Sequence, residues 1–271
     1  MPELPEVETT MRALAANLTG RQVTALVQRR PDLRFPLPPR LSERLVGCRL
    51  VGFARRAKYI LAELDQGETL LLHLGMSGRL LLGGAPAGPH EHLTFSFDDG
   101  SLLRYVDPRR FGMLDLAPTV DLERHPRLAG LGLEPLEPGF DGPALAAALA
   151  ASRSPLKVAL MDQRRVVGVG NIYACESLFR ARLSPRRPAG GLRPAQSRRL
   201  AEAIRTVLQE AIGAGGSSLR DYMQANGELG VFQDRFAVYD RALQPCPACG
   251  RLIVKLVQAQ RATYMCTRCQ R

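Results

Sequence analysis

Hydrophobic positions near the start of the chain recur at helical spacing. Val7, Met11, Leu14, Ala15 and Leu18 share one face and Gly20 follows them, which predicts an amphipathic helix over residues 5–19. Pro5 suits the first helical position, and Glu6 and Glu8 suit the positive end of the helix. The period then changes to two. Val23, Ala25 and Val27 alternate with other residues. Leu93, Phe95 and Phe97 alternate into Asp98-Asp99-Gly100, a hairpin signal, and the chain returns through Leu103 and Tyr105. Residues 21–116 therefore read as mostly strand, and short strands separated by turns predict an antiparallel β-sandwich. A Pro- and Glu-rich stretch at 134–139 reads as a linker. Beyond it the pattern is helical: an Ala-rich segment over 144–152, a helix opened by Ser154-Pro155, a third opened by Gly170-Asn171, and a fourth over 194–212. In the fourth, Leu200, Ile204, Val207, Leu208 and Ala211 share a face. These shifts divide the chain into 1–133 (helix and β-sandwich), a linker over 134–142, a helical domain over 143–236 and a cysteine module over 237–271. The expected class is α+β and multidomain.

A chain of 271 residues that is 45% hydrophobic can bury a core in each of two domains. Its apolar runs are too short to span a bilayer. Two prolines and three acids among the first eight residues do not fit a signal peptide. A soluble, cytoplasmic protein with no membrane partner is expected. The net charge of +11, concentrated in residues 134–271, points to a polyanionic partner. Of 37 basic residues only Lys58, Lys157 and Lys255 are lysines. Arginine serves phosphate well but stays protonated, so amine chemistry is left to three lysines and the N-terminus.

That N-terminus is unusual. Removal of Met1 would expose Pro2 as a secondary amine, and an α-amino group titrates near ~8. Such an amine can attack a sugar aldehyde carbon and form an iminium, with Glu3 moving the proton. At the other end, Cys246-x2-Cys249 and Cys266-x2-Cys269 have the spacing of a closed four-thiolate zinc site. Four protein ligands leave no position for water, so one structural Zn2+ is expected, with Leu252 to Val257 and Ala262 to Met265 forming a hairpin between the pairs. Disulfides are the alternative, but Cys48 and Cys175 remain over, which suits a reducing compartment.

Other positions read two ways. Lys58, in a strand with Arg55 and Arg56, is a phosphate clamp or an edge-strand charge. His90 and His92, before a strand, touch phosphate or sit on the surface. Met76, between Gly75 and Gly78, and Arg109 with Phe111, before Gly112, are displayed on turns and fit wedges that enter a base stack. Arg261 lies near the hairpin turn, ready for phosphate or merely exposed. Val167-Gly168-Val169-Gly170-Asn171 leads into a helix N-terminus, an anion site or a plain turn.

Taken together, Pro2-Glu3-Leu4-Pro5-Glu6, Arg56-Ala57-Lys58-Tyr59, His73-Leu74-Gly75-Met76-Ser77-Gly78, Asp107-Pro108-Arg109-Arg110-Phe111-Gly112, Val167 to Tyr173, Gln260-Arg261-Ala262-Thr263 and the cysteine module resemble the formamidopyrimidine-DNA glycosylases along essentially the whole chain. The resemblance implies a helix–two-turns–helix domain after the sandwich, a zinc finger, and DNA in the cleft between. It implies a monomeric bifunctional enzyme that removes oxidised purines, such as 8-oxoguanine and formamidopyrimidines, from double-stranded damaged DNA, then cleaves the strand by β,δ-elimination. Carried over by resemblance, Pro2 is the nucleophile, Glu3 the proton donor, Lys58 the assistant of β-elimination and Arg261 of δ-elimination. Met76, Arg109 and Phe111 fill the gap left by the flipped nucleotide; His90, Arg153, Lys157 and Asn171 contact the DNA backbone; residues 215–222 close over the everted base. Two alternatives stand beside this: an endonuclease VIII-like enzyme for oxidised pyrimidines, which Leu4 and the Met76/Arg109/Phe111 set disfavour, and a non-catalytic zinc-ribbon DNA-binding protein.

Overall fold

The computed structural model describes residues 2–84, 88–219 and 222–271. Its first helix, α1 (Leu4–Leu18), forms where the apolar spacing places it and buries Leu4, Val7, Leu14 and Leu18. Pro5 stands in its first turn, and the Glu6 carboxylate accepts the Glu3 N–H at 2.8 Å, the return half of a capping box. Strand β1 (Val23–Gln28) follows. A five-residue helix, α2 (Leu41–Leu45), then interrupts the region expected to be mostly strand. It buries only Leu41 and Leu45, too short a stretch to show a helical period in the sequence.

Seven more strands complete the sandwich: β2 (Leu50–Arg56), β3 (Tyr59–Leu64), β4 (Glu68–His73), β5 (Arg79–Leu82), β6 (Glu91–Phe97), β7 (Leu102–Val106) and β8 (Met113–Pro118). One sheet has the order β1-β6-β7-β5 and the other β2-β3-β4-β8, with neighbours antiparallel. Val23, Phe95, Phe97 and Leu103 from the first sheet share a core with Ile60, Ala62, Leu64, Leu70 and Leu72 from the second. Each large aliphatic or aromatic side chain so buried stabilises the unit by about 1.5–3 kcal/mol.

The helical region contains α3 (Gly142–Leu149), α4 (Leu156–Leu160), α5 (Asn171–Arg180) and α6 (Pro194–Gly213). Asp141 caps α3 by accepting the Ala144 N–H at 2.8 Å, and α6 packs against both α3 and α5. The C-terminal hairpin joins β9 (Val254–Gln258) to β10 (Arg261–Met265). Its two turn residues, Ala259 and Gln260, both take left-handed backbone.

The chain forms two compact units. One holds residues up to Ala129 together with Ala214–Val231; the other holds Gly130–Gly213 and Phe232–Arg271. Residues 214–231 thus leave the helices and rejoin the sandwich unit. There Ala225 enters the core and its carbonyl accepts the Leu82 N–H at 2.8 Å. No helix among the described residues is long and apolar enough to cross a membrane.

Candidate active site and zinc module

The start of α1 places Pro2 and Glu3 together, both buried, with Glu3 only 3% exposed. Glu6 holds this segment to the segment that rejoins the sandwich. One carboxylate oxygen accepts the Glu3 N–H and the other accepts the Ser217 N–H, each at 2.8 Å. A Cβ on Gly216 would stand 3.1 Å from the same carboxylate, so glycine leaves room for the approach. Met1, whose removal would free the Pro2 amine, lies outside the described residues, as do Arg220 and Asp221 of the expected base-covering stretch 215–222.

Lys58 does not stand in a strand. It is the second residue of a two-residue turn between β2 and β3, after Ala57 at φ 54°, and is 6% exposed. The reversal comes from Ala57 adopting backbone that its residue type does not signal. Arg55 ties this turn to α1: it donates to Glu8 at 2.7 Å and to the Ala57 carbonyl at 3.0 Å. Beside the turn, Tyr59 and His73 pair their rings at 4.8 Å. The His73 Nδ1 accepts the Gly75 N–H. Burial first, then Lys58 and Arg34, push its pKa down to about 4, so the ring is neutral at pH 7.

Met76, Arg109 and Phe111 are brought together by a buried aspartate. Asp107 accepts the Ser77 hydroxyl at 2.6 Å and the Gly112 N–H at 2.7 Å, and Ser77 accepts the Arg109 N–H at 3.2 Å. Gly75 fits because any Cβ would fall 2.3 Å from the Phe111 backbone. Met76 is half-buried, while Phe111 is 43% exposed with the Arg109 guanidinium 4.8 Å above its ring. His92 is buried in β6 and bonds the Asp107 carbonyl, whereas His90 is exposed.

In the other unit Lys157 is fully buried. Its ammonium donates to the Ala262 carbonyl at 2.9 Å and to the Thr263 hydroxyl at 2.7 Å. Asn171 donates to the same carbonyl at 3.0 Å. Both therefore brace the start of β10, where the exposed Arg261 stands. Arg153 is exposed on the loop before α4. Gln163 shapes the glycine turn before α5, donating to the Val169 carbonyl and accepting the Gly168 N–H.

The four sulfurs of Cys246, Cys249, Cys266 and Cys269 lie within 4.8 Å of one another, with Cys246–Cys269 at 3.9 Å and Cys249–Cys266 at 3.4 Å. A tetrahedron with Zn–S bonds of about 2.3 Å spaces its sulfurs at about 3.8 Å, so the donor set fits one structural zinc ion. These separations are far beyond the roughly 2 Å of a disulfide.

Several of these residues stood in or beside the sequence motifs without an assigned role. Asp107, Arg55, Tyr59 and His73 act through partners distant along the chain. Glu6 was legible as a helix-start acid three residues after Glu3, but its bond to Ser217 was not.

A sandwich whose first helix is headed by a buried Pro2–Glu3 pair, with a separate helical unit ending in a four-cysteine cluster, defines a modular zinc-finger protein. Three family models match in the same order: the formamidopyrimidine-DNA glycosylase N-terminal domain over residues 1–114, its H2TH domain over 131–223, and the zinc finger found in FPG and IleRS over 244–271. The chain belongs to the formamidopyrimidine-DNA glycosylase family. It is 53% identical to the formamidopyrimidine-DNA glycosylase of Cereibacter sphaeroides and 51% identical to that of Acidiphilium cryptum, each over 100% of both chains. Among solved structures, it matches the MutM (Fpg) protein of Thermus thermophilus at 44% identity with a TM-score of 0.89, covering 99% of this chain and 98% of that one. It also matches Lactococcus lactis Fpg bound to N7-benzyl-Fapy-dG DNA, at 33% identity and a TM-score of 0.90 over 99% of each chain. A MutM complex with DNA containing carbocyclic 8-oxo-G gives 34% and 0.90, again over 99% of each.

Proposed function

We propose that this protein excises oxidised purines, 8-oxoguanine and formamidopyrimidines, from duplex DNA and then cleaves the strand at the resulting site. The observation that carries the reading is the buried Pro2–Glu3 pair at the head of α1, held by Glu6. The Pro2 nitrogen, freed by loss of Met1, attacks the sugar C1′. The bond to the base breaks, the base leaving with the proton that the Pro2 nitrogen gives up, and Glu3 protonates the ring oxygen so that the sugar opens to an iminium. β-Elimination then expels the 3′ phosphate, and δ-elimination the 5′ phosphate. Lys58 and Arg261 are the cations that assist these steps in this reading, by holding phosphate.

A base must leave the stack to be excised, and Met76, Arg109 and Phe111 are the groups that fill its place. Arg109 over Phe111 offers a flat cationic face to the unpaired partner base. His90 and Arg153 are exposed cation-bearing or donor groups suited to backbone phosphates. Lys157 and Asn171 act one step back, fixing the strand that displays Arg261. When bound, zinc holds the hairpin in shape and takes no part in the reaction. A single chain acting on DNA in a reducing, cytoplasmic compartment fits the four clustered thiols and the two further cysteines, Cys48 and Cys175.

Borohydride reduction in the presence of an 8-oxoguanine duplex tests this. A covalent adduct mapping to Pro2 is expected, and a variant retaining Met1 should form none. No adduct with any damaged or abasic duplex, or adducts only with oxidised pyrimidines, would overturn the reading.

A further inference from the structure

We infer that Arg34, Phe35 and Arg127 form a platform on the sandwich unit that grips the phosphate backbone of duplex DNA, separate from the phosphate site at Lys58. The partner rests on the glycosylase reading above; the platform rests on its own geometry. Phe35 leaves 36% of its surface exposed. The Arg127 guanidinium lies 4.0 Å from its ring centre and that of Arg34 lies 5.7 Å away. Stacking on an aromatic ring holds a guanidinium in a fixed plane and leaves its N–H edges outward, the geometry for a forked phosphate contact.

The neighbouring arginines are occupied differently. Arg30 and Arg110 share Asp32 at 3.4 and 3.8 Å, and Arg55 is bound to Glu8. Among the described residues, neither Arg34 nor Arg127 has a carboxylate within ion-pair distance. Two exposed cations on one ring, without an anion, make a local positive potential that a polyanion relieves. The platform is also continuous with the lesion-side groups. The Arg34 N–H donates to the Gly112 carbonyl at 3.1 Å, next to Phe111, and Arg34 and Arg127 both act electrostatically on Tyr59 beside Lys58. A stack that only fastened a loop would need no second guanidinium.

The test is equilibrium binding of the full-length protein to two duplexes, one undamaged and one carrying a tetrahydrofuran abasic-site analogue, across about 50 to 300 mM salt. Each phosphate contact contributes about 0.9 to the slope of log affinity against log salt. R34Q/R127Q should lower that slope by about 1.8 on both duplexes. R34K/R127K keeps the charge and should keep the slope while binding more weakly. Phe35→Leu keeps both charges and should weaken binding by about two- to fivefold. A slope unchanged in R34Q/R127Q, while the unaltered protein still forms its borohydride adduct, overturns the platform and leaves the glycosylase reading standing. A lowered slope without any adduct from the unaltered protein supports the platform and sinks that reading instead.

Discussion

Glu176 supports the zinc module from the middle of α5. Its carboxylate is almost wholly buried and accepts three backbone N–H groups, Val238 at 2.9 Å and Tyr239 at 2.7 Å on one oxygen and Ala237 at 2.9 Å on the other. Burial raises its pKa, against the three donors, which lower it. Val238 packs in a cluster with Cys246, Ile253, Tyr264 and Cys266, so the carboxylate fixes the chain just before the first zinc ligand. In Glu176→Gln the remaining carbonyl oxygen can keep Val238 and Tyr239, but an amide N–H2 then faces the Ala237 N–H. One charge-assisted bond is lost, worth roughly 1.5–3 kcal/mol, and a buried donor is left unmet at roughly 1–3 kcal/mol more. The two sum to about 2.5–6 kcal/mol, less the desolvation that loss of the buried charge relieves, still a large part of an ordinary domain's stability. Urea unfolding at pH 7 measures it, and release of zinc to a coloured chelator at intermediate urea should begin earlier than in the unaltered protein. A Glu176→Gln protein within about 0.5 kcal/mol of the original, with the same zinc release, would refute the assignment of Glu176 as this brace.

Gly112→Ala should disrupt the wedge loops, because the new Cβ would sit 1.7 Å from the Tyr105 hydroxyl, which is fully buried and bonds the His73 carbonyl. Overpacking of this kind costs about 1–3 kcal/mol, and a melting temperature equal to the original's would contradict it. His73 predicts a pH dependence. The unfolded chain takes up its proton near pH 6.5 and the folded chain only near about 4, so between those values the unfolded state binds more protons and acid erodes stability. Moving from pH 7 to pH 5 should remove at most about 2 kcal/mol through this group, and His73→Asn should be less acid-sensitive by that amount in unfolding measurements. Identical pH profiles for the two proteins would remove His73 as the cause.

Much of the fold is local and was readable in the sequence. The helical spacing of Val7, Leu14 and Leu18 gives α1, the alternation of Leu93, Phe95 and Phe97 into Asp98-Asp99-Gly100 gives the β6–β7 hairpin, and the face of Leu200, Ile204 and Leu208 gives α6. The cysteine spacing alone indicated a four-sulfur cluster, because two short knuckles bring their own ligands together. What the sequence left open depends on backbone or packing that residue type does not encode. Ala57 turns left-handed and puts Lys58 in a reversal instead of a strand. Lys157 resembles a phosphate ligand by type, yet packing buries its ammonium on the Ala262 carbonyl. Residues 213–218 read as a flexible polar loop after a helix, yet Ser217 closes on Glu6, 211 positions earlier. Periodicity records which face of an element is apolar and capping residues record where it ends; both act over a few residues. Which loops meet, and so which acid stands behind Pro2 and which aspartate gathers Met76, Arg109 and Phe111, is decided only when the sheets and helices pack, since that packing joins groups the chain holds far apart.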